Sequence, residues 1–243
     1  MSTIKKQDHQ RKVPAAREGE RNFAKFTNKQ LAVFYWLISK AYWNKESREK
    51  HYFVYRNTIN YTQMGKELGI KSARNTIIAA LEKLELYGKI MITNDAIILP
   101  HAEFYTYLHI DLIRFLLAYS TAVGAELILF YSMLKRFWEL NNRSNTPTNF
   151  CVKLFIQALG HNINDSNEYK KIKVYIALLK SWELIKVSES IGINKGGKFT
   201  EYTLWKIEKD LPINLYIEEA GEQVVNINED DLSKIKSTVD FKI

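Results

Sequence analysis

Cysteine is nearly absent from this 243-residue chain: Cys151 stands alone, so neither an internal disulfide nor a cysteine-based zinc cage can form. Long apolar runs are missing too. The greasiest stretch, Leu112 to Leu134, is broken by Arg114 and Glu126, which makes it a poor membrane span and a good pair of buried helices. Lys5, Lys6, Arg11 and Lys12 are followed by no apolar block, so nothing there reads as a secretory signal. The five histidines (His9, His51, His101, His109 and His161) never fall at a His-x-His or His-x-x-x-His spacing. That leaves no paired metal ligands and no companion for a DNA-nicking tyrosine. Gly192-Ile193-Asn194-Lys195-Gly196-Gly197-Lys198 opens like a nucleotide-binding P-loop, but Phe199 stands where Ser or Thr must bind magnesium. The segment Phe199 to Trp205 alternates like a strand, whereas a P-loop needs a helix there. The expectation is a cytoplasmic, non-enzymatic protein with no membrane partner, no metal, no cofactor and no catalytic residue.

What is present points elsewhere. An apolar share of 46%, with 13% aromatics, is ample for real cores, in one large domain or two ordinary ones. The net charge of +8 is unevenly spread. Residues 208–243 hold nine acidic and four basic side chains, which leaves +13 on residues 1–207. A basic body with an acidic tail suits a partner dense in phosphate, because cations that displace condensed counterions gain affinity. A basic surface of no special purpose has the same composition.

Residues 1–22 are polar and basic without periodicity and read as a flexible arm. Thr27 then caps a helix whose Leu31, Phe34, Tyr35, Leu37, Ile38 and Tyr42 recur at helical spacing. After a charged loop comes a short aromatic strand, Tyr52 to Tyr55. Tyr61 to Leu68 reads as a short helix capped by Thr62, and Gly69 supplies a tight turn. Ser72 caps a longer helix that buries Ile77, Ile78, Leu81 and Leu84, with Lys71, Ser72, Arg74 and Asn75 at its leading end. Short helix, glycine turn and longer helix make a helix-turn-helix, and a helical hairpin in an all-α core has the same local pattern. Gly88 ends the helix, and Ile90 to Ile92 and Ala96 to Leu99 flank Thr93-Asn94-Asp95 as a β-hairpin, or wing.

The pattern then recurs. Leu127, Phe130, Tyr131, Met133 and Leu134 echo Leu31, Phe34, Tyr35, Leu37 and Ile38 at an offset of 96. Leu159-Gly160 echoes Leu68-Gly69 at 91, Glu183-Leu184 echoes Glu85-Leu86 at 98, and Lys186-Val187 echoes Lys89-Ile90 at 97. In this copy Asp165 or Ser166 caps a helix that buries Ile172, Ile176 and Leu179 and exposes Asn167, Lys170, Lys171 and Lys173. Its wing runs out from Leu184, turns at Asn194 to Lys198 and returns to Ile207. The chain divides accordingly: an arm, 1–22; a first winged-helix domain, 23–100; a joining helical segment, 101–124; a second winged-helix domain, 125–207; and an acidic tail, 208–243. The fold class expected is mainly α with small β-hairpins (α+β), two winged helix-turn-helix domains in tandem.

Arg74 and Asn75 are of the types that read guanine and adenine edges, while Lys170, Lys171, Lys173, Lys195 and Lys198 suit phosphates. Arg74 has a duller option, a salt link to Glu67 or a buried stem. The order of parts resembles the initiator replication proteins of iteron plasmids. The resemblance rests on Leu127 to Tyr131 with Lys135-Arg136-Phe137-Trp138, and on Lys195-Gly196-Gly197-Lys198-Phe199-Thr200-Glu201-Tyr202, and it covers residues 23–207. It implies double-stranded DNA as partner, monomers binding origin repeats through both domains, homodimers through the first domain, and contacts to host replication proteins. The acidic tail departs from that pattern. A plasmid or phage replication initiator is thus the leading reading. A winged-helix transcriptional regulator and a non-catalytic protein-binding adaptor stand beside it, since fold does not choose among them.

Overall fold

The structure, a computed structural model, describes residues 10–15, 23, 25–43, 51–100, 104–120, 123–141, 146–194 and 197–207. Helices outweigh strands, and the sheets are small and antiparallel, an α+β arrangement. Among the described residues no helix is long and apolar enough to cross a membrane.

The first helix, α1 (Asn28–Lys40), begins on a capping box: Thr27 Oγ1 accepts from the Gln30 amide, and Gln30 Oε1 accepts from the Thr27 amide. Every residue from Leu31 to Ser39 is buried. A helix apolar on all sides must be enclosed, and α1 lies among α3 (Ala73–Leu86), α4 (Ile110–Tyr119) and α5 (Gly124–Asn141). Helix α5 is likewise buried from Gly124 to Leu134 at every position but Glu126. The two are tied where α5 starts, as Asn28 Oδ1 accepts from the Glu126 amide at 3.1 Å and satisfies one of its orphan donors. One continuous core therefore runs through both halves of the chain.

Each half repeats one order of elements. In the first, α1 leads to β2 (Tyr42–Trp43) and β3 (Tyr52–Tyr55), α2 (Tyr61–Glu67), α3, and the hairpin β4 (Met91–Ile92) and β5 (Ala96–Leu99). In the second, α5 leads to β7 (Thr148–Cys151), α6 (Val152–Leu159), α7 (Ser166–Ser181), and the hairpin β8 (Ile185–Asn194) and β9 (Gly197–Ile207). In both sheets the last strand lies between the outgoing arm of the hairpin and the strand that precedes the helix pair, β3 in one and β7 in the other.

The backbone repeats at finer scale. Gly69 and Gly160 take positive φ, and each donates to the carbonyl three residues back while the next residue donates five back. This is a Schellman closure, and α3 and α7 end on the same one at Gly88 and Glu183. Glu183 thus stands where the first half has Gly88, an equivalence at an offset of 95. The offset of 98 that pairs Glu183-Leu184 with Glu85-Leu86 is corrected: Leu86 is 79% exposed, whereas Leu184 is fully buried. A dyad can match by chance; a closed turn cannot slide by three residues.

Three local readings also change. Within the arm, Gln10–Pro14 forms β1, antiparallel to β6 (Tyr105–His109), with Val13 fully buried. Its partner lies about ninety residues away, so no local periodicity announces it. Ala15 follows, buried and donating to the Phe104 carbonyl, and the rest of the arm and the acidic tail lie outside the described residues. Asn60, not Thr62, caps α2, accepting from the Gln63 amide at 3.0 Å. Ser72 occupies the N-cap position of α3, but with φ 53° its side chain makes no capping bond.

Gly65 decides how closely α2 meets α3. A Cβ there would run into the Cβ of Ala73 and crowd the Ile70 carbonyl. Gly65→Ala is expected to lower stability by about 1–3 kcal/mol through overpacking, read as a fall in the urea midpoint. An unchanged midpoint would mean that the two helices separate at no cost.

Candidate nucleic-acid interface

The leading end of α3 is open. Lys71, Ser72, Arg74 and Asn75 are all exposed, while Ile77, Ala80, Leu81 and Leu84 face the core; Ile78 is only partly buried. Two arrangements hold this end in place. The Gly69 turn closes α2, with the Ile70 amide donating to the Gly65 carbonyl at 2.8 Å. Glu67 anchors α2 to α1, accepting from Trp36 Nε1 at 2.6 Å and from Gln63 Nε2 at 3.2 Å, with Lys40 at 3.4 Å. Burial alone would raise the Glu67 pKa, but these donors more than offset it and hold the carboxyl below its usual range. Glu67 is thus fully engaged, and Arg74 makes no ion pair with it. Arg74 is exposed, and among the described residues it has no ion-pair partner.

In the second half the lysines separate into two kinds. Asp165 caps α7, its side chain accepting from the Asn167 amide at 2.8 Å. Asn167 and Lys170 are exposed. Lys173 is exposed too, leaning on the middle of the hairpin, 3.4 Å from Thr200 Oγ1 and 3.9 Å from Glu189. Lys171 is not a surface cation. Its Nζ lies 2.7 Å from Glu126 and 2.8 Å from Glu168, with its side chain only 20% exposed. Burial alone would lower the Lys171 pKa, but the charges of Glu126 and Glu168 raise it above the usual lysine value. The expected exposure of Lys171 is corrected: two carboxylates, one of them on α5, hold its ammonium and compensate its charge near the helix start.

Glu126, His161 and Glu168 come close enough for their ligand atoms to share an ion, a grouping that histidine spacing alone does not reveal. His161 Nε2 lies 3.1 Å from Glu126, and Nδ1 lies 3.8 Å from Glu168. The Lys171 ammonium already sits against both carboxylates and supplies the cation. The cluster pins the start of α7 to α5. Beside it lies a small cavity lined by Phe23, Phe26, Asn28, Leu31, Leu129 and Leu159, at the seam where α1 meets α5.

The two hairpins differ as much as the helices agree. The first is short and tied down: Thr93 pairs with Ala96, and Arg56 donates from Nη1 to the Thr93 carbonyl at 3.0 Å. Its tip carries Asn94 and Asp95, with the exposed Arg56 beside it. The second has strands of 10 and 11 residues, long enough to reach roughly 30 Å at ~3.3 Å per residue. Lys195 at its tip lies outside the described residues. Lys198 lies in β9, with its backbone placed opposite Ile193.

Sequence patterns missed the consumption of Lys171 and an aromatic sheet face on the first half, which the alternation Tyr52-Phe53-Val54-Tyr55 could have signalled. Comparison with known protein families, curated proteins and solved structures finds no match to this chain.

Proposed function

We propose that the two halves are winged-helix domains and that the protein binds duplex DNA in a sequence-dependent way to start replication at an origin. One observation carries the reading. The third helix of each half, α3 and α7, starts exposed and polar, with Lys71, Arg74 and Asn75 on one and Asn167 and Lys170 on the other. A helix of this kind, held behind a glycine turn and beside a hairpin, is shaped to enter a major groove. In this reading Arg74 and Asn75 contact base edges, Lys71, Lys170 and Lys173 contact phosphates, and Lys195 and Lys198 follow the backbone along the second hairpin.

The halves differ in sequence and share one core, so a single chain would span a site lacking two-fold symmetry. Direct repeats, rather than palindromes, fit such a reader. This suits the resemblance to initiators of iteron plasmids, with host replication proteins recruited once the duplex is bound and distorted. The test is a plasmid carrying only this coding region and its flanking DNA, placed where no other origin works. Replication that stops when Lys170 and Asn75 are changed to Ala supports the reading. No replication, with purified protein still silencing its own promoter, makes the protein a transcriptional regulator instead.

A further inference from the structure

The third helices of the two halves differ in the charge they leave on the surface. Along α7 the exposed positions Lys170, Lys173, Ala177 and Lys180 fall in one stripe at helical spacing, and every charged residue at an exposed position of this helix is a lysine. Helix α3 instead exposes Glu82 and Glu85 behind Arg74. The carboxylates at the start of α7 are already taken, Asp165 by the Asn167 amide and Glu168 by Lys171. Among the described residues Lys170 and Lys180 have no ion-pair partner, and Lys173 has a carboxylate, Glu189, only at 3.9 Å. The stripe is thus a row of cations without compensating charge.

Chain of the opposite sign starts beside it. Ile207, the last residue of β9, pairs with Ile185, four residues past the end of α7, so residues 208–243 set out from that end of the helix. Residues 218–231 hold six carboxylates, Glu218, Glu219, Glu222, Glu229, Asp230 and Asp231, and no cation. At ~1.5 Å per residue, α7 is about 24 Å long. Glu218 stands 11 residues beyond Ile207 and Glu229 stands 22, lengths of chain that can cover up to ~36 Å and ~73 Å. Both acidic runs can therefore reach every lysine of the stripe, Lys170 at its far end included.

We propose that the carboxylates of residues 218–231 dock on the lysine stripe of α7 and compete there with duplex phosphates, an autoinhibitory contact within one chain. The competition rests on the duplex reading; the docking does not. An exposed ion pair contributes little by itself, but a tethered segment competes at an effective concentration of roughly millimolar, so several weak contacts suffice. Lysines that take phosphates carry no sequence information, so the tail lowers affinity for all duplexes by the same factor. Affinity for DNA is then set by how readily the tail is displaced, and any partner that takes up the acidic runs would release α7.

The experiment uses the full chain in two ways. Carbodiimide coupling joins an ammonium to a carboxylate in direct contact, and at low protein concentration it should link residues 218–231 to Lys170, Lys173 or Lys180 within one chain, as read by mass spectrometry. Added duplex should suppress that link. A variant carrying Glu218→Gln, Glu219→Gln, Glu222→Gln, Glu229→Gln, Asp230→Asn and Asp231→Asn should bind a random-sequence duplex at least about 5-fold more tightly than wild type. Equal duplex affinity in the two proteins would overturn the competition. Tighter binding with no link to α7 would leave only long-range repulsion and overturn the docking, as would links found only between two chains. A link to α7 in a protein that binds no duplex, with or without the six carboxylates, would support the docking and sink the duplex reading instead.

Discussion

Duplex binding by the full chain is expected to fall about 10³-fold between roughly 50 and 200 mM salt. The size follows from the lysines that the proposed function assigns to phosphates. On that reading Lys71, Lys170, Lys173, Lys195 and Lys198 take phosphates, while Lys171 is held by Glu126 and Glu168. Five neutralised phosphates give a slope of about −4.5 in log affinity against log salt, since each contributes about −0.9. Lys170→Ala should flatten that slope by about one and weaken all sequences alike. Asn75→Ala should instead relax preference, costing about 1–3 kcal/mol on the favoured site only. A titration flat across this salt range would remove the phosphate contacts, and with them the duplex reading. If instead Lys170→Ala relaxes preference and Asn75→Ala does not, α7 is the reader.

Lys171→Met is expected to cost about 2–3 kcal/mol at neutral pH, a drop of roughly 4–12 °C in Tm for a chain of this size. The loss is structural. Without the ammonium, Glu126 and Glu168 face one another with 15% and 19% of their side chains exposed. The pH dependence gives a separate reading. Burial alone would raise the Glu126 pKa, but His161 and Lys171 more than offset it and leave it depressed. Its contribution is therefore present above the ordinary carboxylate range and is lost as pH falls through the lowered value. The Lys171 pKa is raised, so its share persists up to the ordinary lysine value, about 10.4, and is lost above it. The gap in stability between wild type and Lys171→Met should then be widest between neutral pH and about pH 9 and narrow in acid, as His161 and then the carboxylates take up protons. Thermal melts across that range measure it. An unchanged Tm with weakened duplex binding would return Lys171 to the phosphates.

The different outcomes for Lys170 and Lys171 show where local pattern ends. Both are lysines in the first turns of one helix, and helical spacing places them beside each other. Only the packing of α5 against α7 brings Glu126 within reach of one and not the other. Arg74 ran the opposite way: a link to Glu67 was open locally, and Trp36 and Lys40, from another helix, closed it.

By itself the sequence determined the elements whose causes are local. The capped start at Thr27, the glycine turns at Gly69 and Gly160, the stripe of Ile172, Ile176 and Leu179, and the two hairpins all follow from side-chain period and backbone permissiveness within a few residues. It also carried the repeat, because a shared fold leaves the same apolar positions in both copies. Tertiary structure alone decided the rest: the pairing of β1 with β6, the single core through α1 and α5, the burial of Lys171, and the uncovered aromatic row on the first sheet. Each of these joins groups far apart in the chain. Their energies come from desolvation and contact between surfaces that meet only after folding, and no period along the sequence encodes such a meeting.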